Sequence, residues 1–340
     1  MRPQQRDGGG IGAGRGGTGG ASSGGGDTVA DLGEFRLIDR VTADRNQPPS
    51  TVLGPGDDAA VVAAADGRVV AATDVLVEGV HFRLDWSTPE QVGRKAVAVN
   101  MIDVAAMGAV PTALLIGLGC PPDTPLKVVD GLATGMWRET EAAGAGIVGG
   151  DMVTAEQLVI SVTALGDLGG GEPVTRAGAR AGDVVAVCGR LGWAAAGLAV
   201  LGRGFRSPAT VVNAHRAPEP PYAAGPAAAQ AGATSMIDVS DGLLADLGHI
   251  ARASRVGMDI RTGAMPVHER VLDVAAALGA DPVRWVLTGG EDYALAATFP
   301  SARSVPPTWT VIGDVLPGTG VLVDGGEYAQ EDAGWQHWRG

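Results

Sequence analysis

The chain has 340 residues, of which 38 are Asp or Glu and 25 are Lys or Arg, and its formal net charge at pH 7 is -13. This length is sufficient for two domains of ordinary size. The acidic balance argues against a nucleic-acid partner, because the phosphate backbone favours proteins rich in Lys and Arg. Acidic oxygens instead suit divalent cations, which can neutralise a bound phosphate.

Other features exclude further classes. No apolar run reaches the roughly 18 residues needed to cross a membrane, and the N-terminus lacks the apolar segment of a signal peptide. Cys120 and Cys188 lie far apart and form no disulfide framework or zinc spacing, although Cys120 as a nucleophile stays an alternative. We therefore expect a cytoplasmic protein with no membrane partner. Residues 1–27 are rich in Gly and Ser and are predicted to form a disordered tail.

Apolar periodicity and turn residues predict a mixture of helices and strands after this tail. The first half is predicted to contain, in chain order, a helix at 34–41, strands at 59–65 and 69–73, a helix at 89–108, a strand at 114–118, a helix at 127–144, and strands at 146–151 and 158–165. The second half is predicted to contain a strand at 183–188, a helix at 193–201, a proline-rich loop at 218–226, a strand at 235–239, a helix at 242–254, a strand at 257–261, a helix at 269–278 and a strand at 293–299.

These elements show no regular βαβ period, so the predicted class is α/β or mixed α+β rather than a purely parallel sheet. Glycines at 169–171 predict a junction there. The predicted division is an N-terminal domain at 28–168 and a C-terminal domain at 169–340.

Five short segments place an aspartate where an apolar run meets a glycine or the start of a helix. They are Gly56-Asp57-Asp58, Thr73-Asp74, Asn100-Met101-Ile102-Asp103, Gly149-Gly150-Asp151 and Asp238-Val239-Ser240-Asp241-Gly242. Each one alone is also explained by a turn or a helix N-cap, where Asp binds backbone N–H groups. Together they suggest a Mg²⁺ site, because Mg²⁺ is held by a few carboxylates plus substrate phosphates.

Asp103 is the strongest member of this set, because it lies in an almost wholly apolar predicted helix. An unpaired carboxylate buried there would cost several kcal/mol, so it requires a cation or an open cleft. Asn100 is three residues earlier and shares its face. Lys95 and Lys127 are the only lysines of the chain, and Lys95 lies too far along the helix axis to be the best partner.

The usual phosphate-binding devices are missing from the sequence. It contains neither the G-x-x-x-x-G-K-[ST] loop nor the H-R-D and D-F-G motifs of protein kinases. A bound nucleotide would then need metal ions to neutralise its charge. The residues alone therefore favour a site that holds several metal ions.

Six motifs occur in an order that resembles the thiamine-monophosphate kinases. They are Thr73-Asp-Val-Leu-Val-Glu-Gly-Val-His-Phe82, Asn100 to Pro111, Gly149-Gly-Asp151, Thr175-Arg-Ala-Gly-Ala179, Ile237-Asp-Val-Ser-Asp-Gly-Leu243 and Thr288-Gly-Gly-Glu-Asp-Tyr293. The resemblance extends from about residue 31 to the C-terminus. It implies the two-domain fold of the aminoimidazole-ribonucleotide synthetase superfamily, with an N-terminal α/β domain that forms a homodimer and a C-terminal α/β domain that covers the nucleotide. It also implies that ATP and thiamine monophosphate give ADP and thiamine diphosphate, with the help of several Mg²⁺ ions.

The same resemblance implies roles for particular residues. Metal ligands are expected at Asp58, Ala72, Thr73, Asp74, Asp103, Asp151, Asp238 and Asp241, where Ala72 replaces a frequent Ser and would contribute its carbonyl. ATP contacts are expected at Gly150, Asp151, Arg176 and Ser240, and thiamine-phosphate contacts at His81, Glu291 and Trp335, with Trp338 as a competitor for the last role. Asp103, Asp151 and Arg176 would carry catalysis.

Two alternatives stay open at this point. One is another ATP-using enzyme of the same superfamily, and the other is a non-catalytic metal-binding protein.

Overall fold

The computed structural model describes residues 28–55 and 59–328. The predicted tail, Asp58 and Trp335 lie outside the described residues. In chain order, the first half contains α1 (Val29–Leu32), α2 (Glu34–Thr42), β1 (Thr51–Leu53), β2 (Val61–Val62), β3 (Val70–Val77), α3 (Pro89–Ala106), β4 (Val110–Cys120), α4 (Leu126–Ala142), β5 (Gly146–Thr154) and β6 (Val159–Asp167). The second half contains β7 (Val184–Cys188), α5 (Trp193–Gly202), α6 (Ala209–Arg216), α7 (Ala224–Gln230), β8 (Ser235–Val239), α8 (Leu243–Ser254), β9 (Gly257–Ile260), α9 (Glu269–Leu278), α10 (Pro282–Thr288), β10 (Ala294–Phe299), β11 (Thr310–Leu316), β12 (Gly320–Val323) and β13 (Gly326–Glu327), with 3₁₀ turns at Thr262–Ala264 and Ala302–Ser304.

The central helix of the first half is α3. It begins at a capping box, in which the Thr88 hydroxyl accepts from Gln91 N and the Gln91 side chain accepts from Thr88 N. Most of its residues are buried, and it crosses α4 closely. A Cβ at Gly93 would lie 2.1 Å from the carbonyl oxygen of Leu132, so this crossing requires glycine.

Four strands form the sheet of the first half in the order β3-β6-β4-β5, which makes β3 and β5 its two edges. β6 is antiparallel to both β3 and β4, whereas β4 and β5 are parallel and are joined by α4. One face of the sheet packs against α3 and α4 in a shared apolar core. On the other face, Val75, Leu115 and Val153 are exposed.

The second half builds a seven-stranded sheet in the order β13-β12-β9-β11-β7-β10-β8. All its pairs are antiparallel except β9 with β12. A second apolar core lies between this sheet and α8 and α10. The predicted mixed α/β fold with a sheet in each half is confirmed.

Several short elements were not predicted, including α6, α10 and the strands after β10. The loop predicted at 218–226 is partly wrong, because α7 begins at Ala224. Its proline, Pro226, lies in the first turn, where a missing backbone N–H breaks no helical hydrogen bond. Within the described residues, every helix is too short or too polar to cross a bilayer.

Candidate active site

The first part of the site lies where α3 meets the edge strand β3. Asn100 is fully buried, and its Oδ1 accepts a hydrogen bond of 2.7 Å from the backbone N–H of Asp74. Its Nδ2 donates to the carbonyl of Ala96, one turn earlier on α3. Asn100 therefore holds the free edge of β3 beside the helix face that carries Asp103.

Three carboxylates from three elements interact at this position: Asp74 on β3, Asp103 on α3 and Asp238 on β8. Burial, followed by Asp238 and Asp74, raises the pKa of Asp103 to about 8. Burial is also the main cause that raises the pKa of Asp238, to which Asp74 adds. We call this set, Asp74, Asp103 and Asp238, the acidic cluster.

The acidic cluster has little positive charge of its own. Arg176 lowers the pKa values of Asp103 and Asp238, but it does not cancel the raised values that burial produces. Lys95, on the same helix as Asp103, is bound elsewhere. Asp238 is buried, Asp103 is half-buried and Asp74 is exposed. Carboxylates that meet from separate rigid elements fit the preference of Mg²⁺ for oxygen ligands.

The two residues before Asp74 differ in where they place their oxygen atoms. Side chains alternate along a strand, so the Thr73 hydroxyl lies on the sheet face opposite to the Asp74 side chain. The Thr73 hydroxyl donates to the carbonyl of Val162 at 2.9 Å and accepts from Thr163. In an antiparallel pair the two backbone polar groups of a residue point the same way, and the direction alternates along the strand. Because the N–H of Asp74 points away from β6, the carbonyl of Ala72 also faces this free edge.

The loop after β8 is fixed by a carboxylate that was not predicted, Asp246 on α8. Its Oδ2 lies 3.1, 3.2 and 3.1 Å from the backbone nitrogens of Ser240, Asp241 and Gly242, each of which donates to it. Asp246 is buried, and burial raises its pKa to about 8. One side chain therefore determines the path of the loop that carries Ser240 and Asp241.

Asp241, Asp246 and His249 also offer ligand atoms within 4.8 Å of one another. The Asp246 oxygen that binds the loop already has three donors, and burial is the main cause that lowers the pKa of His249. Asp246 is the member of this group that supports the loop, whereas Nδ1 of His249 lies 3.0 Å from the Arg252 guanidinium.

The second part of the site is built around Glu291, which is 30% exposed at its side chain. Its Oε1 lies 2.6 Å from Nζ of Lys95, and its Oε2 lies 3.1 Å from Nδ1 of His215. Burial would raise the pKa of Glu291, but the charge of Lys95 and then His215 lower it to about 2. Lys95 Nζ also donates to the carbonyl of His81 at 3.0 Å. We call Lys95, Glu291 and His215 the lysine cluster.

The backbone around Glu291 is unusual. Glu291 and Tyr293 have φ values of 65° and 50°, in the left-handed region that non-glycine residues rarely adopt. Their N–H groups donate to the carbonyls of Ser240 and Val239. Between them, Asp292 accepts from the nitrogens of Gly192 and Ala194 at the start of α5. These contacts place the 289–293 loop against the loop that follows β8.

Gly150 and Asp151 lie apart from these groups. Asp151 is on β5, at the sheet edge opposite β3, and three strand spacings amount to about 14 Å. Its register row contains Gly117, Ser161 and Val75, so its side chain faces the side of the sheet opposite to that of Asp74. Asp151 borders a cavity of about 990 Å³ that is lined by β4, β5 and β6 together with residues of α2 and α4.

Gly150 has a local reason to be glycine, because a Cβ would lie 2.0 Å from the carbonyl oxygen of Ile116. The structure thus brings Asp74, Asp103, Asp238 and Arg176 together, and places Ser240 and Glu291 on adjoining loops. Asp151 keeps its predicted role only as a prediction.

Comparison with known proteins follows the same division of the chain. Residues 56–168 match the family model "AIR synthase related protein, N-terminal domain", and residues 180–324 match "AIR synthase related protein, C-terminal domain". The fold and the site thus define an AIR synthase-related protein of two domains.

Individual relatives narrow this class. A thiamine-monophosphate kinase of Mycobacterium tuberculosis is 54% identical over 311 residues, which cover 91% of this chain and 92% of that protein. The crystal structure of thiamine-monophosphate kinase from Stenotrophomonas maltophilia matches with a TM-score of 0.76 at 33% identity, over 87% of this chain and 98% of that one. AaThiL complexed with AMPPCP and TMP matches with a TM-score of 0.76 at 34% identity, over 91% and 98%. The chain belongs to the thiamine-monophosphate kinase family of AIR synthase-related proteins, as its motifs predicted.

Proposed function

We propose that this protein transfers the γ-phosphoryl group of ATP to thiamine monophosphate, with Mg²⁺ ions bound by Asp74, Asp103 and Asp238. Membership of the thiamine-monophosphate kinase family supports the reaction. The observation that carries the metal sites is the acidic cluster, whose burial and mutual repulsion raise the pKa of Asp103 to about 8. Such a cluster is stabilised by added positive charge. When bound there, Mg²⁺ would neutralise charge on the phosphates of the two substrates.

The residues of the chain have a limited task in this reaction. The acceptor is itself a phosphate and is ionised at neutral pH, so no general base has to remove a proton from it. The protein must hold two anions in line and offset their repulsion. Arg176 would supply fixed positive charge beside the acidic cluster, and Ser240 would orient the nucleotide from a loop that Asp246 holds rigid.

The substrate end would lie at His81 and Glu291. A carboxylate complements the cationic thiazolium ring of thiamine. Both oxygens of Glu291 already have nitrogen neighbours, so its contact with the ring would use the exposed part of the side chain. The roles of the remaining predicted residues also stay proposals: Asp58, Ala72, Thr73, Asp151 and Asp241 as metal ligands, Gly150 as an ATP contact and Trp335 as a substrate contact.

We also propose a homodimer, formed through the open face of the first sheet. Exposed Val75, Leu115 and Val153 on this face support the proposal, because large apolar surfaces of this kind are commonly covered by a partner. The predicted boundary near residue 168 and the cytoplasmic location stay proposals as well. The two separate sheets support the boundary.

The direct test mixes the purified protein with ATP, MgCl₂ and thiamine monophosphate and identifies the products by mass. We expect ADP and thiamine diphosphate in equal amounts, and no product when EDTA replaces MgCl₂ or when thiamine replaces its monophosphate. ATP consumption that does not require thiamine monophosphate would indicate another enzyme of the superfamily. Absence of ATP consumption in a folded protein would indicate a non-catalytic metal-binding protein.

A further inference from the structure

We infer that Lys95 is a positioning residue for the thiamine-monophosphate pocket: its single ammonium group joins the two segments that carry the predicted substrate contacts, one from each half of the chain. This inference rests on the proposed function. Neither the motifs nor the predicted metal site gives the Lys95 side chain a role.

The contacts of Lys95 define this role. Its Nζ donates to the carbonyl of His81 at 3.0 Å, in the segment after β3, and to Oε1 of Glu291 at 2.6 Å, in the loop before β10. The two partners are 210 residues apart in sequence and belong to different sheets. One ammonium group thus connects the segment of the predicted phosphate contact directly to the side chain of the predicted thiazolium contact.

Burial makes this connection rigid. Lys95 is 2% exposed and projects from the middle of α3, whose neighbouring residues are packed in the first apolar core. A buried ammonium without its partners is strongly destabilising, so Lys95 has one favourable arrangement. Its carboxylate partner is in turn held in a left-handed backbone conformation, which persists only when surrounding contacts determine it.

The charges around Glu291 explain why the partner is a lysine. His215 approaches the other oxygen, and its ring packs against that of Trp86 with 6.4 Å between centroids. With Lys95 in place, the carboxylate is ionised and can complement a cationic ring. The ammonium group of Lys95 compensates much of the charge of this carboxylate. Without Lys95, the carboxylate would depend on His215. The segment of His81 would keep its hydrogen bonds to Val77 but lose its connection to Glu291.

The inference separates two ends of the site. Lys95 binds the two segments that carry predicted thiamine-phosphate contacts. Of the predicted ATP contacts, Arg176 lies beside the acidic cluster and Ser240 lies in the loop that Asp246 holds. Loss of Lys95 should therefore weaken the binding of thiamine monophosphate more than the binding of ATP. A purely structural lysine would lower stability without this difference between the two substrates.

The test compares Lys95→Met and Lys95→Arg with Lys127→Met, a matched control because Lys127 is the only other lysine and is exposed on α4. We expect Lys95→Met to raise the KM for thiamine monophosphate by about tenfold or more and to change the KM for ATP by less than about twofold. Lys95→Arg should raise the KM for thiamine monophosphate less than Lys95→Met does. Its guanidinium keeps the positive charge, but it is planar and larger than the compact ammonium group of lysine. Lys127→Met should behave as the wild type.

A double-mutant cycle with Glu291→Gln tests whether Lys95 acts through Glu291. We expect Lys95→Met to raise the KM for thiamine monophosphate much less in the Glu291→Gln background than in the wild type. If Lys95→Met does not fold, Lys95→Arg carries the same comparison. A folded Lys95 variant with a wild-type KM for thiamine monophosphate, or with both KM values raised equally, overturns the inference. A wild-type protein that does not use thiamine monophosphate refutes the proposed function instead.

Discussion

The acidic cluster and the lysine cluster are two sets of charged side chains in which the pKa of a carboxyl group shifts in opposite directions. In the acidic cluster, Asp103 has a pKa raised to about 8, because burial and two other carboxylates outweigh Arg176. In the lysine cluster, Glu291 has a pKa lowered to about 2, because Lys95 and His215 outweigh burial. Similar burial thus produces opposite shifts, and the difference lies in the neighbouring charge.

This difference indicates which set requires positive charge from a bound ion. The lysine cluster carries its own cation and is complete within the chain. The acidic cluster is incomplete until positive charge arrives, which is the property expected of a metal site that binds its ion together with an anionic substrate. Substitution of a single residue in either set tests this difference.

The largest expected effect is that of Asp103→Asn on turnover. The amide is nearly isosteric but has no charge, so it should lower kcat by at least about 100-fold through the loss of transition-state charge stabilisation. The same change removes a carboxylate with a raised pKa, so the metal-free variant should melt at the same temperature as the wild type or above it at pH 8. Turnover assays and thermal melts in EDTA measure the two effects.

Asp273→Asn is the control for this prediction, because Asp273 is exposed on α9, where Arg270 lies 3.6 Å away. It should leave both turnover and melting temperature unchanged, since exposed ion pairs contribute little. Near-normal turnover by Asp103→Asn would remove Asp103 from the site. A strongly lowered melting temperature in EDTA would mean that the cluster is compensated within the chain after all.

The stability of the metal-free protein should depend on pH. Asp103, Asp246 and Asp292 have pKa values of about 8, 8 and 7 in the folded protein, all raised mainly by burial. Between the ordinary pKa near 4 and these values, the folded state holds protons that the unfolded state has lost. The free energy of unfolding should therefore fall as pH rises, by about 1.4 kcal/mol per pH unit for each such proton.

The contribution of Glu291 to the free energy of unfolding changes with pH in the opposite direction and over a different pH range. Its lowered pKa stabilises the folded state above pH 4.5, and that contribution is lost only as pH falls towards 2. Denaturant unfolding at pH 6.5 and pH 8 in EDTA isolates the aspartate effect, and Asp103→Asn should reduce the slope. Added MgCl₂ should restore stability at pH 8 in the wild type more than in that variant. A wild-type slope unaffected by Asp103→Asn would contradict the prediction.

The two clusters also differ in how far the sequence predicted them. Asp103 was found because a carboxylate in an apolar helix is visible in sequence, and Asn100 because its spacing puts it on the same face. The lysine cluster joins residues on α3, on α6 and in the 289–293 loop, and nothing in local periodicity indicates that these meet. The sequence suggests Asp103 as the acidic neighbour of Lys95, whereas in the structure Lys95 binds Glu291 and the carbonyl of His81.

The fold shows the same limit. Long periodic elements such as α3, α4 and α8 were predicted within a few residues of their observed ends. The short helices α6 and α10 and the strands after β10 are stabilised by packing in the second half rather than by their own pattern. Strand order was not predictable either, so the placement of Asp151 at the sheet edge opposite Asp74 became visible only in the structure.

Substitution of Asp246, which binds the backbone of the loop that follows Asp238, should have a weaker effect. Asp246→Ala leaves three backbone N–H groups of the 240–242 loop without their acceptor, which should cost about 1–3 kcal/mol of stability. Asp246→Asn keeps an acceptor oxygen and should cost less. Because the loop carries Ser240 and Asp241, both variants should also need more Mg²⁺ for half-maximal activity, by about tenfold for alanine, as for other residues that orient metal ligands.

Denaturant unfolding and Mg²⁺ titrations of activity separate these two consequences. The Mg²⁺ titrations use saturating thiamine monophosphate and ATP. If Asp246 acted only on stability, both variants would need the same Mg²⁺ concentration for half-maximal activity as the wild type. A shift in Mg²⁺ dependence that is graded from asparagine to alanine, with an unchanged KM for thiamine monophosphate, would place Asp246 with the acidic cluster rather than with the lysine cluster. Independent variants would then support both parts of the site: the acidic cluster, which requires an added cation, and the lysine cluster, which contains its own.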